Sequence, residues 1–283
     1  MEQICDLHIH SAYSDGTLSP AQLIRLAEEK GISAVALCDH NTVAGLPQFL
    51  EAAAQSTVEA IPGIEFSTDY LDGELHILGL FIRPQHYAAV SKKLEQVLHR
   101  KEQSNLELIA GLKTAGIELD YEQIKAANPG SVINRAVIAA QMVRCGYCES
   151  VKEAFSRWLS PEHGFFHPPR RLDALETVRF IKSIGAVAVL AHPFLNLDAY
   201  RLRDFLKEAV PAGLDAMEVY YPKFSEEQTF LAGQIAEEFG VLPSGGSDFH
   251  GANKPEISLG TGRDNLRIPH SVLENLAARA TIC

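Results

Sequence analysis

Three short segments of this chain place histidine beside aspartate, and each adjoins an apolar run. They read Asp-Leu-His-Ile-His at residues 6–10, Asp-His at 39–40 and Ser-Asp-Phe-His at 247–250. Because residues two apart on a strand leave the same face, His8 and His10 can bind one cation. Imidazole and carboxylate ligands together suit Mn, Fe or Zn better than Ca or Mg. The pattern predicts a site for two or three divalent transition metal ions.

Four further residues occupy comparable positions: Asp15 in a Ser-Asp-Gly turn, Glu65 after an apolar segment, His76 within one, and His192 before Pro193. Taken singly, each has an ordinary interpretation as a capped turn, a solvated strand end or a hydrogen-bonded core histidine. Their occurrence together at separate apolar segments favours a common pocket. Two or three cations would outweigh three ligand carboxylates in charge, so we expect an anionic substrate.

Ligands at separate strand ends can converge only in a closed sheet or barrel. Strands are predicted at residues 4–10, 34–39, 59–65, 74–82, 186–191, 216–220 and 241–244. Helices are predicted at residues 20–30, 172–183, 202–209 and 226–239. The first helix has Ser19 as its N-cap, Pro20 at its first position and Gly31 after its end. Such alternation predicts parallel strands joined by crossover helices.

Between the two alternating regions, residues 86–159 show only helical spacing of apolar side chains, as at Leu94, Val97 and Leu98. We therefore predict an α/β fold with two parts. A βα barrel domain comprises residues 1–88 and 168–283, and an inserted helical subdomain comprises residues 89–167.

Composition narrows the class of protein. The chain has 283 residues, 46% of them hydrophobic, and a formal net charge of −11, which disfavours extended duplex nucleic acid as a partner. No apolar run approaches a membrane span and no signal peptide is recognisable, so we expect a soluble cytoplasmic protein. Five cysteines, an odd number, fit a reducing compartment. A structural zinc site at Cys145 and Cys148 would need two further soft ligands, and none lies at the spacing of known zinc sites. We therefore assign these two cysteines no metal-binding role.

At these motifs the chain resembles the PHP superfamily of phosphoesterases, through DLHIH at 6–10, DH at 39–40, AHP at 191–193 and SDFH at 247–250. The resemblance implies a distorted (β/α)7 barrel. It also implies three cation sites that share nine ligands. The first would use His8, His10, Glu65 and Asp248, the second Glu65, His76 and His192, and the third Asp15, His40 and His250.

The helical insertion is similar to that of the subgroup with 3′,5′-nucleoside bisphosphate phosphatases and a 5′ to 3′ exoribonuclease, in which it forms a cap that grips the substrate. This similarity implies that Lys101 and Arg135 contact substrate phosphates. Ser104 and Val137 depart from the subgroup, which would have an arginine and a histidine there. The basic junction after the insertion contains His163, His167, Arg170 and Arg171, which could supply the phosphate or leaving-group contacts that Ser104 and Val137 lack. Of these, His167 and Arg170 are our further candidates for substrate binding. A solvated junction without a substrate role is the alternative.

The resulting hypothesis is hydrolysis of a phosphate monoester of a small nucleotide, such as a 3′,5′-nucleoside bisphosphate, or removal of nucleotides from short RNA 5′ ends. Asp248 and His192 are predicted to be essential for catalysis. Histidinol-phosphate phosphatase activity and amide hydrolysis on a similar barrel are the enzymatic alternatives. A non-catalytic metal-binding scaffold is the non-enzymatic one.

Overall fold

The computed structural model describes residues 3–71, 73–129 and 132–280. The chain divides into two compact units. We call Met1–Ser91 with Leu172–Cys283 the barrel unit, and Lys92–Arg171 the helical unit. The divisions fall a few residues after the boundaries that we expected at 88 and 167.

The secondary structure of the described residues follows the predicted alternation. The strands are β1 (Ile4–Ile9), β2 (Ala34–Leu37), β3 (Glu59–Tyr70), β4 (Gly73–Leu80), β5 (Leu172–Asp173), β6 (Val187–Leu190), β7 (Ala216–Tyr220), β8 (Leu242–Gly245) and β9 (Ile268–Pro269). The helices are α1 (Pro20–Glu29), α2 (Leu46–Ala53), α3 (Tyr87–Thr114), α4 (Tyr121–Ala127), α5 (Arg135–Arg144), α6 (Val151–Ala154), α7 (Ala174–Ser183), α8 (Ala199–Ala212), α9 (Glu226–Phe239) and α10 (His270–Ala277).

The sheet of the barrel unit runs in the order β8-β7-β6-β4-β3-β2-β1-β9, with β5 beside β3. Its two sides approach each other beyond β8, where the His10 N–H donates to the Phe249 carbonyl and the Asp248 N–H donates to the His8 carbonyl, each at 2.9 Å. These bonds nearly close the sheet. The predicted α/β barrel is therefore confirmed, and the ends of β1 and β8 lie side by side.

Among the strands predicted from the sequence, β4 contradicts the expected parallel arrangement, and the short β9 also pairs antiparallel with β1. β4 pairs antiparallel with both β3 and β6, whereas the pairs β1–β2, β2–β3, β6–β7 and β7–β8 are parallel. The reason is the short connection between β3 and β4, which contains only residues 71 and 72. Parallel neighbours need a crossover of about a dozen residues or more. A connection of two residues therefore forces an antiparallel hairpin.

Side chains from several strands fill one core of the barrel unit, including Leu7, Ala36, Leu78, Val189 and Ala216. All four residues of β2 and all four of β6 are buried. Continuous burial explains why these strands read as uninterrupted apolar runs. It also means that a polar side chain in this region must lie at a strand end or have a buried partner.

Helix α1 illustrates how local sequence sets an element. The Ser19 side chain accepts from the Gln22 N–H while the Gln22 side chain accepts from the Ser19 N–H, and Pro20 occupies the first helical position. The helix ends at Glu29, and Gly31 has a positive φ of 69°. The predicted start is thus confirmed, and the end differs by one residue.

The helical unit has a separate apolar core in which Leu108, Leu112, Ile124, Ile138 and Met142 are all fully buried. No strand occurs among its described residues, as the sequence predicted. Across the described chain, none of the helices combines the length and the apolar character that a bilayer span requires.

Candidate metal centre

Glu65 lies at the centre of the predicted site, on β3, and is 1% exposed. Its Oε2 atom is 3.3 Å from Nε2 of His8, 3.3 Å from Nε2 of His10 and 3.0 Å from Nδ1 of His40. Its Oε1 atom is 2.7 Å from Nδ1 of His76 and 3.1 Å from Nε2 of His192. One carboxylate thus contacts imidazoles that come from β1, the end of β2, β4 and the end of β6.

Asp15 forms a second cluster in the loop between β1 and α1. Its carboxylate is 3.1 Å from Nε2 of His250, 3.7 Å from Nε2 of His40 and 3.7 Å from Nδ1 of His10. The Ser-Asp-Gly turn predicted from the sequence therefore places the Asp15 carboxylate beside His10, His40 and His250.

Asp248 uses its two oxygens differently. Oδ1 faces the histidines, 3.3 Å from Nε2 of His10 and 3.5 Å from Nδ1 of His250. Oδ2 instead accepts from the Tyr221 hydroxyl at 2.9 Å and from the Lys254 ammonium at 2.7 Å. Only Oδ1 is therefore available as a ligand atom.

The distances fit cation ligands. A bond of about 2.1 Å from metal to nitrogen or oxygen places two ligands of one ion about 3.0 Å apart at a right angle and about 3.4 Å apart at a tetrahedral angle. The Nε2 atoms of His8 and His10 are 3.0 Å apart, and both are 3.3 Å from Glu65. Among the residues that the structure describes, three groups have ligand atoms within 4.8 Å of one another, namely His8/His10/Glu65, His40/Glu65/His76 and His10/Asp15/His40/His250.

Buried polar atoms support the same conclusion. Nδ1 of His10 and Nδ1 of His192 are buried and have no hydrogen-bond partner within the described part of the chain. Buried nitrogen without a partner is costly in a folded protein. The structure brings all nine predicted ligands together, and their donor atoms fit divalent cations.

The carboxylates are held in their ionised form. Burial acts to raise the pKa of Glu65, but the neighbouring His40, His76 and His8 outweigh it and hold that pKa well below its usual value. For Asp248, burial is likewise overcome by His250 and then by Lys254, so its pKa is also well below normal. Both side chains therefore carry a negative charge at neutral pH.

The backbone at the site adopts uncommon conformations. His192 has φ 29° and Asp248 has φ 54°, in the left-handed region that ordinary residues rarely occupy. Each such residue costs on the order of 1–3 kcal/mol and persists where surrounding contacts hold it. A Cβ atom on Gly246 would overlap the Cβ atom of His8, so only glycine allows the chain directly after β8 to pass this close.

Three residues that hold candidate ligands were not predicted from the sequence: Glu218, Tyr221 and Lys254. Glu218 is fully buried in the apolar strand β7 and accepts from Nδ1 of His8 at 2.9 Å and from the His192 N–H at 2.6 Å. A lone carboxylate within Ala-Met-Glu-Val-Tyr was the signal that could have identified it. Tyr221 and Lys254 carried no comparable signal.

Two aspartates of the sequence motifs hold loops instead of facing the histidines. Asp6 accepts from the Ser247 N–H at 2.8 Å, the Ser247 hydroxyl at 2.6 Å and the Gly260 N–H at 2.8 Å. Asp39 accepts from the Ser11 N–H at 2.8 Å and from the hydroxyls of Ser11 and Ser14 at 2.6 and 2.7 Å. Each aspartate therefore fixes a loop that carries candidate ligands.

The four predicted substrate contacts belong to the helical unit. Arg135 donates from Nη1 to the Leu159 carbonyl at 3.1 Å, and its guanidinium is 4.1 Å from the centre of the Phe166 ring. Lys101 lines a cavity of about 300 Å³ together with Tyr121 and Lys125.

The other two candidates, His167 and Arg170, are exposed. Ser104, which stands where an arginine was expected, is buried and donates to the His167 carbonyl at 2.7 Å. Its hydroxyl therefore serves the internal structure of the helical unit.

Comparison with known proteins decides the family. The model of the PHP domain matches residues 6–142. A 5′-3′ exoribonuclease from Haemophilus influenzae is 32% identical over 246 residues, which cover 87% of this chain and 89% of that protein. The chain belongs to the PHP family. The resemblance inferred from the four sequence motifs is thereby confirmed.

Two further similarities extend over almost the entire PHP chain. A 3′,5′-nucleoside bisphosphate phosphatase from Chromobacterium violaceum is 27% identical over 277 residues, 97% of this chain and 96% of that protein. The crystal structure of a predicted metal-dependent phosphoesterase from Bifidobacterium adolescentis superposes with a TM-score of 0.87 at 25% identity, covering 99% of this chain and 97% of the other. This PHP protein is accordingly a hydrolase, a metal-dependent phosphoesterase.

Proposed function

We propose that this phosphoesterase hydrolyses a phosphate ester of a small nucleotide, a 3′,5′-nucleoside bisphosphate or the 5′-terminal nucleotide of a short RNA. The observation that carries this proposal is the position of Glu65, whose two oxygens contact separate sets of imidazoles. Such a carboxylate can serve two cations at once. The relatives from H. influenzae and C. violaceum, which act on RNA and on a nucleoside bisphosphate by name, support the nucleotide class.

We assign two or three Mn, Fe or Zn ions to the nine ligands in three sets. The first set is His8, His10, Glu65 and Asp248, the second is Glu65, His76 and His192, and the third is Asp15, His40 and His250. When bound, the cations would activate water and offset negative charge on the phosphoryl oxygens.

The protein itself contributes orientation. Tyr221 and Lys254 hold Oδ2 of Asp248 and so direct Oδ1 toward His10. Arg135 and Lys101 are proposed to bind the substrate phosphates, with His167 and Arg170 as further contacts. Arginine suits this role because its planar fork can make two hydrogen bonds to one phosphate.

A substrate panel tests the proposal. Protein loaded with Mn²⁺, Zn²⁺ or Fe²⁺ is offered a 3′,5′-nucleoside bisphosphate, a 5′-phosphorylated oligoribonucleotide, histidinol phosphate, an aryl phosphate and an amide. We expect the nucleotide substrates to give the highest kcat/KM. Preference for histidinol phosphate or the amide would reject the nucleotide assignment, and absence of turnover on every phosphate ester would reject the proposed function.

Two ligand variants connect that activity to the site. Asp248→Asn and His192→Ala should reduce turnover to the background rate, with circular dichroism like that of the wild type. Asp215→Asn is the matched control, because Asp215 pairs with Lys182 at 2.7 Å and contacts none of the nine ligands among the described residues. Turnover retained in both ligand variants would contradict the assignment.

A further inference from the structure

Glu218 connects two of the candidate ligands from inside the core. It is 0% exposed, and its strand neighbours Met217 and Val219 are apolar and buried. Oε1 accepts from Nδ1 of His8 at 2.9 Å, and Oε2 accepts from the backbone N–H of His192 at 2.6 Å. Both carboxylate oxygens are therefore committed to residues of the candidate metal centre.

The bond to His8 selects one tautomer. Because the carboxylate accepts, a proton lies on Nδ1 of His8, and Nε2 is the ring nitrogen that can serve a cation. That Nε2 atom is 3.3 Å from Oε2 of Glu65 and 3.9 Å from Oδ1 of Asp248. A carboxylate on the far nitrogen fixes the rotation of a ligand imidazole and increases its basicity.

The bond to His192 acts on the backbone instead of the ring. His192 has φ 29° and ψ 56°, and its N–H would need another partner in this buried position if Glu218 were absent. Holding that N–H keeps the ring where Nε2 is 3.1 Å from Oε1 of Glu65. The two residues that Glu218 holds thus contact opposite oxygens of Glu65.

We infer that Glu218 is a positioning residue that couples two cation sites, by fixing the tautomer of His8 and the backbone of His192. The inference rests on the proposed metal centre. It differs from a role in fold stability alone, because it predicts a change in metal affinity that a matched loss of buried charge elsewhere does not cause.

The test is the Mn²⁺ affinity of Glu218→Gln, measured by competition with a fluorescent chelator. Glutamine has the same shape but only one acceptor oxygen, so its NH₂ group opposes one of the two N–H donors. We expect the dissociation constant to rise by about 10- to 100-fold. The control is again Asp215→Asn, which removes a carboxylate that accepts from the Ala188 N–H at 3.0 Å and should bind Mn²⁺ like the wild type.

The outcomes are distinguishable. A wild-type protein that binds no Mn²⁺, Zn²⁺ or Fe²⁺ would reject the proposed metal centre itself. A wild type that binds Mn²⁺ with the same affinity as Glu218→Gln, or an equal loss of affinity in Asp215→Asn, would overturn the role of Glu218 alone.

A second measurement covers the case in which Glu218→Gln does not fold. In ¹⁵N-histidine spectra of the Zn²⁺-loaded wild type, His8 should carry its proton on Nδ1 and bind through Nε2. The reverse arrangement would overturn the inference.

Discussion

Asp6 and Ser247 are 241 residues apart in sequence, yet both the backbone N–H and the hydroxyl of Ser247 donate to the Asp6 carboxylate, at 2.8 and 2.6 Å. Ser247 directly precedes Asp248 in the loop after β8. The first strand of the chain therefore fixes the last loop that carries candidate ligands.

We predict that Asp6→Ala destabilises the fold by about 3 kcal/mol, because it leaves several buried donors without an acceptor. Urea unfolding checks the change. Asp204→Ala is the control, since Asp204 is 67% exposed and pairs only with Lys207 among the salt bridges of the described residues. Its effect should stay within about 0.5 kcal/mol. Similar stability in the two variants would show that the Asp6 network contributes little.

The Tyr221 hydroxyl gives a second prediction. Burial, then the charge of Asp248, raises the pKa of Tyr221 well above its usual value, so the phenol stays a donor to Asp248 across the working pH range. Tyr221→Phe should weaken Mn²⁺ binding or activity by about 10-fold or more, because Oδ2 of Asp248 loses one of its two holding bonds.

Tyr200→Phe is the matched control for that substitution. Tyr200 is 82% exposed, so loss of its hydroxyl should leave Mn²⁺ binding and turnover unchanged. Wild-type metal affinity together with wild-type turnover in Tyr221→Phe would contradict a holding role for the phenol.

Metal removal should lower thermal stability. A ligand that binds only the folded state at 100 times its dissociation constant stabilises by about 2.7 kcal/mol, which corresponds to a shift in Tm of roughly 5 °C or more for a chain of this size. Chelation followed by differential scanning fluorimetry measures the loss, and Mn²⁺ should restore it. Glu65→Gln should show no such recovery of Tm with Mn²⁺. Full recovery in that variant would contradict the proposed role of Glu65 as the central metal ligand.

The sequence predicted the barrel and singled out the nine candidate ligands that the structure brings together, because both depend on local patterns. His10, His40 and His192 each lie within three residues of the end of an apolar strand of four to six residues, and parallel strand ends meet at one edge of a sheet. The antiparallel direction of β4 was not predicted, because the alternation of strands and helices elsewhere suggested a crossover connection. The two-residue strands β5 and β9 are too short to leave a periodic pattern.

The residues that hold the candidate ligands were not predictable in the same way. Glu218 meets His8 across 210 positions of sequence, and Tyr221 meets Asp248 only because the segments after β7 and β8 lie together. Such pairs depend on the register of the assembled barrel and leave no spacing signal. Asp6 and Asp39 show the converse, since both stand in metal-type motifs and serve as hydrogen-bond acceptors for loops.

Arg135 provides the test of substrate recognition. Its bond to the Leu159 carbonyl and its position over Phe166 hold the guanidinium in one orientation, so the proposed binding of a phosphate there would cost less entropy. Arg135→Ala should raise KM for a nucleoside bisphosphate by about 10-fold or more, the value of a charged hydrogen bond, and leave kcat/KM for a small aryl phosphate nearly unchanged. Arg135→Lys keeps the charge without the fork, so it should recover only part of the loss. An equal loss on both substrates would mean that Arg135 supports the helical unit and does not contact the nucleotide.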